Sequence, residues 1–484
     1  MTRTPRTILS LALAATAAAQ APITPGNLVL SRVGDGTAAL TSAANARFLD
    51  EYTPAGVFVQ TIALPTAVNG ANRRLTDSGT ATSNGFLTQS ADGRFLIATG
   101  YDAAPGSASV TGSASATVNR VIARIGLDGA VDTTTALTDA YTGNNFRSAC
   151  SFDGGQFWTS GTGTSPTPGV RHVAALGAAT STQVSTSVTN IRCVDIANGQ
   201  LYCSTSSGAF QGVSTVGSGL PTTSGQTISL LPGFPTATGP SSYDFYFADT
   251  STVYVADDRV TAAGGIQKWT LAGGVWTLAY TLSPGSGVGC RGLSGVADNG
   301  VVTLYATTTA ALTQVVRVVD GGAGSAFTTV VTAAANTAIR DVQLVRTPNA
   351  SVASGTSCPN SNGTPSVGTS GLPVTGNASF GFTAANVGPN SLVVFVASGL
   401  APLGVGVPIP GAPACALLFV SPDNLLAAFA DGNGAAVQPV PIPASQALVG
   451  VQLAAQVAAF DPTQLATFPV PVGTSSALQI TVGN

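Results

Sequence analysis

Between residues 25 and 345 the apolar positions fall in short runs, each closed by Gly, Asn, Asp or Pro, and the runs pair across tight turns. Phe86-Leu87-Thr88-Gln89 leads through Asp92-Gly93 to Arg94-Phe95-Leu96-Ile97-Ala98. Asn145-Phe146-Arg147 leads to Asp153-Gly154 and Gln156-Phe157-Trp158, and Asn190-Ile191-Arg192 to Asn198-Gly199 and Leu201-Tyr202-Cys203. Further on, Phe245-Tyr246-Phe247 pairs with Val253-Tyr254-Val255, and Arg291 to Val296 with Val302 to Tyr305. The runs are too short and too evenly punctuated for helices, and Asp-Gly and Asn-Gly suit hairpin turns of type I′. After each hairpin comes a second, more variable pair, such as Val121-Ile122-Ala123-Arg124 with Asp128-Gly129, or Ile266-Gln267-Lys268-Trp269 with Val275-Trp276.

A four-stranded unit recurring in this way cannot bury both of its own faces, so neighbouring copies must stack. The fold class expected is all-β: a six-bladed β-propeller, with seven blades as the alternative, followed by a small β-sandwich. One unit is expected to be shared between the chain ends, with Ile339 to Val345 as its inner strand and Asn27 to Val33, Arg47 to Tyr52 and Val57 to Ala63 as the rest. Pairing first and last segments closes the ring and removes exposed edges. The expected organisation is a signal peptide over 1–19, the propeller over 22–346, a Pro/Ser/Thr/Gly linker over 347–370 and the sandwich module over 371–484. Proline breaks argue against helices in the module, although Leu448 to Phe460 also fits a buried helix.

Composition narrows the function classes. Only 8% of the 484 residues are charged, and Glu51 and Lys268 are the only glutamate and lysine, which disfavours helical surfaces. The net charge is −3 without a basic stripe, so nucleic acid is excluded as the expected partner. No basic amphipathic helix suggests membrane insertion. Arg3 and Arg6, an apolar stretch from Ile8, and Ala17-Ala18-Ala19 read as an export signal, so a secreted, extracellular or cell-surface location is expected. The six cysteines suit that oxidising setting. Cys358 with Cys415, and Cys193 with either Cys203 or Cys150, are the pairings that spacing suggests.

The residues opening the inner strands are expected to meet at one mouth of the channel: Phe86, Arg147, Arg192, Asp244, Arg291 and Arg340. Arg147, Arg192 and Asp244 each stand seven residues before the turn. The candidate ligand site is Arg147, Arg192, Asp244, Arg291 and Arg340, because guanidinium groups bind carboxylate or phosphate bidentately. Arg73 and Arg74 are candidates to join it. The structural alternative is that repeated arginines bond to neighbouring blade carbonyls. No catalytic residue and no metal ligand is assigned. His172 is the sole histidine, expected on an exposed strand without a nucleophile elbow nearby. No cofactor is expected; an acidic calcium site would have to use Asp249, Asp257 and Asp258. Asp244 and Asp341 are the carboxyl pair that could converge near the channel. Leu372-Pro373-Val374-Thr375-Gly376 spells a sortase-type string, but it stands mid-chain without the hydrophobic tail.

The units from Asn84 to Val345 resemble NHL and SMP-30-like six-bladed propellers. Gly26-Asn27-Leu28-Val29-Leu30-Ser31-Arg32-Val33-Gly34-Asp35-Gly36 and Tyr254-Val255-Ala256-Asp257-Asp258-Arg259 look like segments of exported bacterial propeller proteins of unassigned activity. The tail, with Gly450-Val451-Gln452-Leu453 and Leu478-Gln479-Ile480-Thr481-Val482-Gly483, is similar to C-terminal modules of such proteins. SMP-30-like lactonases hold a divalent metal through a channel glutamate, and Glu51 is expected in an outer strand instead. The expected function is therefore a secreted, non-enzymatic propeller, binding or scaffolding at the cell surface and recognising an anionic glycan or other acidic ligand at the channel mouth. The alternative is a channel-mouth hydrolase or lyase acting on sugars, lactones or phosphate esters.

Overall fold

The computed structural model describes residues 20–237, 239–298, 300–348, 350–355, 357–399, 402, 406–419, 422–464 and 470–483; the expected signal segment, 1–19, lies outside them. Among these residues the elements are strands with three short 3₁₀ turns and no α-helix. The protein is an all-β propeller-type fold followed by further β-sheet. No helix among the described residues is long and apolar enough to cross a membrane.

Four-stranded antiparallel units follow one another along the chain. The first is built from both ends: Ala338–Leu344 pairs with Leu28–Val33, then Ala44–Tyr52, then Phe58–Ala63. The second runs Leu87–Gln89, Phe95–Tyr101, Arg120–Gly126 and Val131–Leu137. The third runs Phe146–Cys150, Phe157–Gly161, Arg171–Val173 and Thr182–Gln183, and the fourth Val194–Ala197, Gln200–Ser207, Phe210–Val216 and Ile228–Leu230. Ser242–Asp249, Thr252–Asp257, Gly265–Ala272 and Val275–Leu282 form the fifth. Cys290–Asp298, Val301–Thr308, Gln314–Val319 and Phe327–Thr332 form the sixth.

Burial grades from inside to outside. Phe146–Cys150 is buried at every position, whereas outer strands such as Phe58–Ala63 are largely exposed. The first strands of neighbouring units touch at five of the six junctions; at the other, Ser242–Asp249 touches Gln200–Ser207. Ala338–Leu344 touches Leu87–Gln89, so the series returns on itself. Between units the core is aliphatic and aromatic: Val253 and Val255 pack with Leu304 and Ala306 beside Trp269 and Trp276. A short strand, Thr76–Ser78, bridges the first two units by pairing with Ala44–Ala46 and Tyr101. Beneath it Arg47 is fully buried, donating to Gly85 O at 3.2 Å, to Ser31 Oγ and to Thr99 O, with Asp77 at 3.7 Å.

Hairpin chemistry differs from the sequence expectation at two turns. Asn198 and Gly199 both have positive φ, 50° and 72°, as type I′ requires. At Asp92-Gly93 and Asp153-Gly154 only the glycine is left-handed. There the side chain of Ser90 or Ser151 bonds across the loop, and Asp92 Oδ1 accepts from Ser90 Oγ at 2.6 Å.

The C-terminal residues form a six-stranded sheet and a three-stranded sheet. The stretch expected as a linker contributes to both. Ala350–Ser354 pairs with Ala477–Thr481, and Ser366–Thr369 with Gly381–Ala385. Both strands lie at the edge of their sheets, where a Ser- and Thr-rich sequence pairs as readily as it forms a linker. Leu448–Phe460 is no helix: Gln452–Phe460 is a central strand between Leu392–Ser398 and Ala477–Thr481. Phe380, Phe382, Phe395, Val457 and Ile480 share one core. Cys358–Cys415 is a disulfide, while Cys150, Cys193, Cys203 and Cys290 are buried free thiols. Cys203 pairs with Val194 rather than Cys193, so the strand alternation keeps the two thiols apart.

Candidate functional site

The inner strands meet through a repeated side-chain-to-backbone bond that defines their true register. Val194 N donates to Ser148 Oγ (3.0 Å), Leu293 N to Asp244 Oδ2 (3.0 Å) and Leu87 N to Asp341 Oδ2 (2.7 Å). In each case the acceptor side chain reaches the backbone of the next unit. Equivalent positions are therefore Phe86, Ser148, Cys193, Asp244, Gly292 and Asp341. The preceding position forms a separate level: Gly85, Arg147, Arg192, Tyr243, Arg291 and Arg340. Asp244 thus belongs one level below the arginines, and Tyr243 takes its place among them. The seven-residue spacing missed this because the pairing of Ser242–Asp249 with its neighbour carries register shifts, which add residues without advancing the ladder.

The four arginines divide into two kinds. Arg147 Nη1 donates to Asn190 Oδ1 (2.7 Å) and Ile191 O (2.9 Å), and Arg340 Nη2 to Gly79 O (2.6 Å). Both are buried, and burial brings each guanidinium down to about 10, so both stay charged at neutral pH. Arg192 and Arg291 are partly exposed. Arg192 Nη1 donates to Ser242 O (2.9 Å) and Ser241 Oγ (3.0 Å), and its guanidinium carbon lies 3.9 Å from the Tyr243 ring centre. Arg291 Nε donates to Asp258 Oδ2 (3.2 Å), with its guanidinium carbon 5.6 Å from the same ring. Tyr243 is therefore flanked by two partly exposed cations.

The axis is filled where the two levels meet. Phe86 and Tyr243 approach to 6.0 Å between ring centres, and both are buried. Asp244 and Asp341 share the level of Phe86. Burial pushes the Asp341 carboxyl up to about 8, against the N–H bonds of Leu87 and Val342. Burial, then the neighbouring Asp341, also raises Asp244. The pair does come within electrostatic reach, as the sequence suggested. Farther along the axis Asp195, half-buried, is pushed up to about 6 by desolvation, with Arg346 opposing. Tyr243, Asp195 and Arg346 escaped the sequence reading, which places Phe86 among the inner-strand openers; an aromatic at the arginine register is the signal for Tyr243.

Other sequence candidates lie elsewhere. Arg74 pairs with Asp102 at 3.0 Å, and Arg73 N bonds Thr133 O on the outermost strand of its unit. His172 is buried rather than exposed, stacked against Trp158 and bonded to Gln156 Oε1 at 2.8 Å; the outer strand Thr182–Gln183 covers it. Asp249 and Asp257 stand at opposite ends of one hairpin, opposite Thr252 and Ser242. Asp257 is held by Arg259 and Gln267, and Asp258 by Arg291, so the three carboxylates do not converge. Among the described residues no group of three or more His, Cys, Asp or Glu is placed to hold a metal. Glu51 sits in the third strand of the shared unit, bonded to Thr24 N, Asn27 and Gln60.

No protein-family model matches the chain, and no curated protein matches it. Solved structures do. A candidate 6-phosphogluconolactonase from Bacteroides uniformis is 12% identical, covering 86% of this chain and 100% of its own, with a TM-score of 0.38. YCF48 bound to D1 peptide is 10% identical over 64% of this chain and 83% of its own, TM-score 0.34. Apo AztD from Citrobacter koseri is 10% identical over 94% and 99%, TM-score 0.28. Likenesses this distant carry no inference about ligand or activity.

Proposed function

We propose that the chain is an exported binding or cell-surface scaffold protein rather than an enzyme, and that it takes an acidic group of its ligand, such as that of an anionic glycan, at the Arg192–Tyr243–Arg291 side of the channel mouth. The observation that supports this reading is the flanking of Tyr243 by two partly exposed guanidiniums. Each is anchored through one nitrogen, to Ser241 and Ser242 or to Asp258, which fixes its direction. A carboxylate or sulfate then meets preorganised donors. Arg147, Arg340 and Asp244 contribute field and rigidity to the site rather than direct grip, being buried in inter-unit bonds. A hydrolase or lyase would draw on the raised carboxyls of Asp244 and Asp341, which are buried at the level of Phe86.

An anionic-glycan array probed with wild-type protein and the Arg192→Ala/Arg291→Ala double variant tests the proposal. Binding by the wild type to sulfated or uronic-acid glycans, lost in the variant, is expected. Equal binding by both would discard the site. Release of sugar product by the wild type, lost in Asp244→Asn, would favour the enzymatic reading.

A further inference from the structure

The C-terminal sheets carry only three charged residues, Asp423, Asp431 and Asp461, and no cation. Within that nearly neutral surface, one register crosses three adjacent strands. Leu392 on Leu392–Ser398 lies opposite Phe429 of Asn424–Phe429, and the pairing of Val393 with Ala459 on the other side sets Phe460 level with Leu392. All three side chains point outward: Phe429 is 74% exposed, Leu392 38% and Phe460 37%. Two phenyl rings therefore stand two strand spacings apart, roughly 10 Å, on a rigid sheet.

This row forms one wall of a cleft of about 570 Å³. Beside it the lining carries the polar residues Asn362, Asn390 and Ser391 and one carboxylate, Asp461, together with Pro389 and Pro462. Ser391 Oγ is buried without a hydrogen-bond partner. Gly388 keeps this corner open, since a Cβ there would lie 3.3 Å from both Asn362 Nδ2 and Ser391 Oγ. Asp461 is fixed by Ser361 N (2.7 Å) and by the Thr463 hydroxyl (2.6 Å), so its carboxylate is oriented before any ligand arrives.

We infer that this cleft, lined by Leu392, Phe429 and Phe460 beside Asn362, Ser391 and Asp461, is a second ligand site, and that it takes a neutral saccharide. The chemistry discriminates among ligand classes. An anion would find no cation in the C-terminal region. A wholly apolar ligand would leave the Ser391 hydroxyl, already without a partner, still unpaired and would cover the exposed amides of Asn362 and Asn390. A hexose ring offers both faces needed: C–H groups for the phenyl rings and equatorial hydroxyls for the exposed amides of Asn362 and Asn390. The volume suits one or two sugar rings. This site does not rest on the channel-mouth proposal and shares no residue with it.

Affinity electrophoresis of the whole protein in gels containing neutral β-glucan, galactan or mannan tests the inference. Wild type should be retarded by at least one of them. Phe429→Ala should weaken retardation roughly tenfold, the loss of one stacked ring, and Ser391→Ala by less. Leu425→Ala is the control, being 66% exposed on the same strand but outside the cleft. Arg192→Ala/Arg291→Ala should leave retardation unchanged, which separates this result from the fate of the other site. Absence of retardation in every neutral gel would overturn the inference. So would equal loss in Phe429→Ala and Leu425→Ala, or a self-association in sedimentation that Phe429→Ala abolishes.

Discussion

The Phe86 and Tyr243 rings lie 6.0 Å apart, although their strands, Leu87–Gln89 and Ser242–Asp249, begin the second and fifth units of the closed series. They meet across the axis, and each is buried by the other and by its neighbours. Phe86 and Tyr243 thus form a packed aromatic layer that spans two levels, with Arg192 and Arg291 beside Tyr243 and the buried Asp244 and Asp341 at the level of Phe86.

Truncating that layer should be expensive. Phe86→Ala removes a ring that is 1% exposed and leaves a cavity on the axis, so a loss of about 3–5 kcal/mol is expected in urea unfolding. Tyr243→Phe keeps the ring and should cost under about 1 kcal/mol. Similar midpoints for Phe86→Ala and wild type would show that the layer is not packed as described.

The two kinds of arginine should separate in the same assay. Arg147→Ala strips a buried cation from Asn190 and Ile191 and should destabilise by about 2–4 kcal/mol. Arg192→Ala, at a partly exposed site, should cost about 1 kcal/mol or less while abolishing anionic-ligand binding. Unfolding midpoints and binding isotherms measured together distinguish scaffold from grip.

Two carboxyls should give opposite pH dependences. Asp341 is raised by burial to about 8 from an unfolded value near 3.9, so the folded state holds its proton more tightly. Its stabilising contribution is complete below about pH 4 and is lost as pH climbs toward 8; Asp341→Asn should flatten that decline. Asp320 behaves inversely. Burial works to raise it, but bonds from Lys268 (2.8 Å), Tyr254 and Tyr280 (2.8 Å) hold it at about 2. That contribution is present above about pH 4 and disappears as pH falls toward 2, by an order of 1–2 kcal/mol after solvent screening. Thermal unfolding of wild type, Asp341→Asn and Asp320→Asn from pH 2.5 to 9 reads both slopes.

The Cys358–Cys415 bridge closes a separation of 57 residues, for which chain entropy gives about 4 kcal/mol. Cys358→Ser/Cys415→Ser should therefore loosen the C-terminal sheets first, seen as faster amide exchange there. The four free thiols are buried, and burial raises Cys203 and Cys290 to about 12, so none should react with a thiol reagent until the protein unfolds.

The strand order of the repeated units was legible because each hairpin is local: an apolar run, a turn residue and a second run. The pairing of Leu28–Val33 with Ala338–Leu344 was also legible, since one unit lacked an inner strand at one end and the other end had a spare. Register was not. The irregular pairing around Tyr243 shifts the strand by a residue that no spacing rule sees, and it moved Asp244 away from the arginines. Nor could spacing tell a buried guanidinium, like Arg147, from a partly exposed one, like Arg192. Both bond a carbonyl of the next unit, Ile191 O and Ser242 O, so the difference lies in how far surrounding side chains cover them. His172 was misplaced for a related reason: a short covering strand of weak pattern, Thr182–Gln183, buries it.

The most direct test of the functional account is a calorimetric titration of a sulfated or uronic-acid oligosaccharide that scores on the array, at low and high salt. Wild type should bind, with affinity falling as salt rises, and Arg192→Ala/Arg291→Ala should lose roughly tenfold or more while unfolding at nearly the same midpoint. Binding that is indifferent both to salt and to the double substitution would contradict the account.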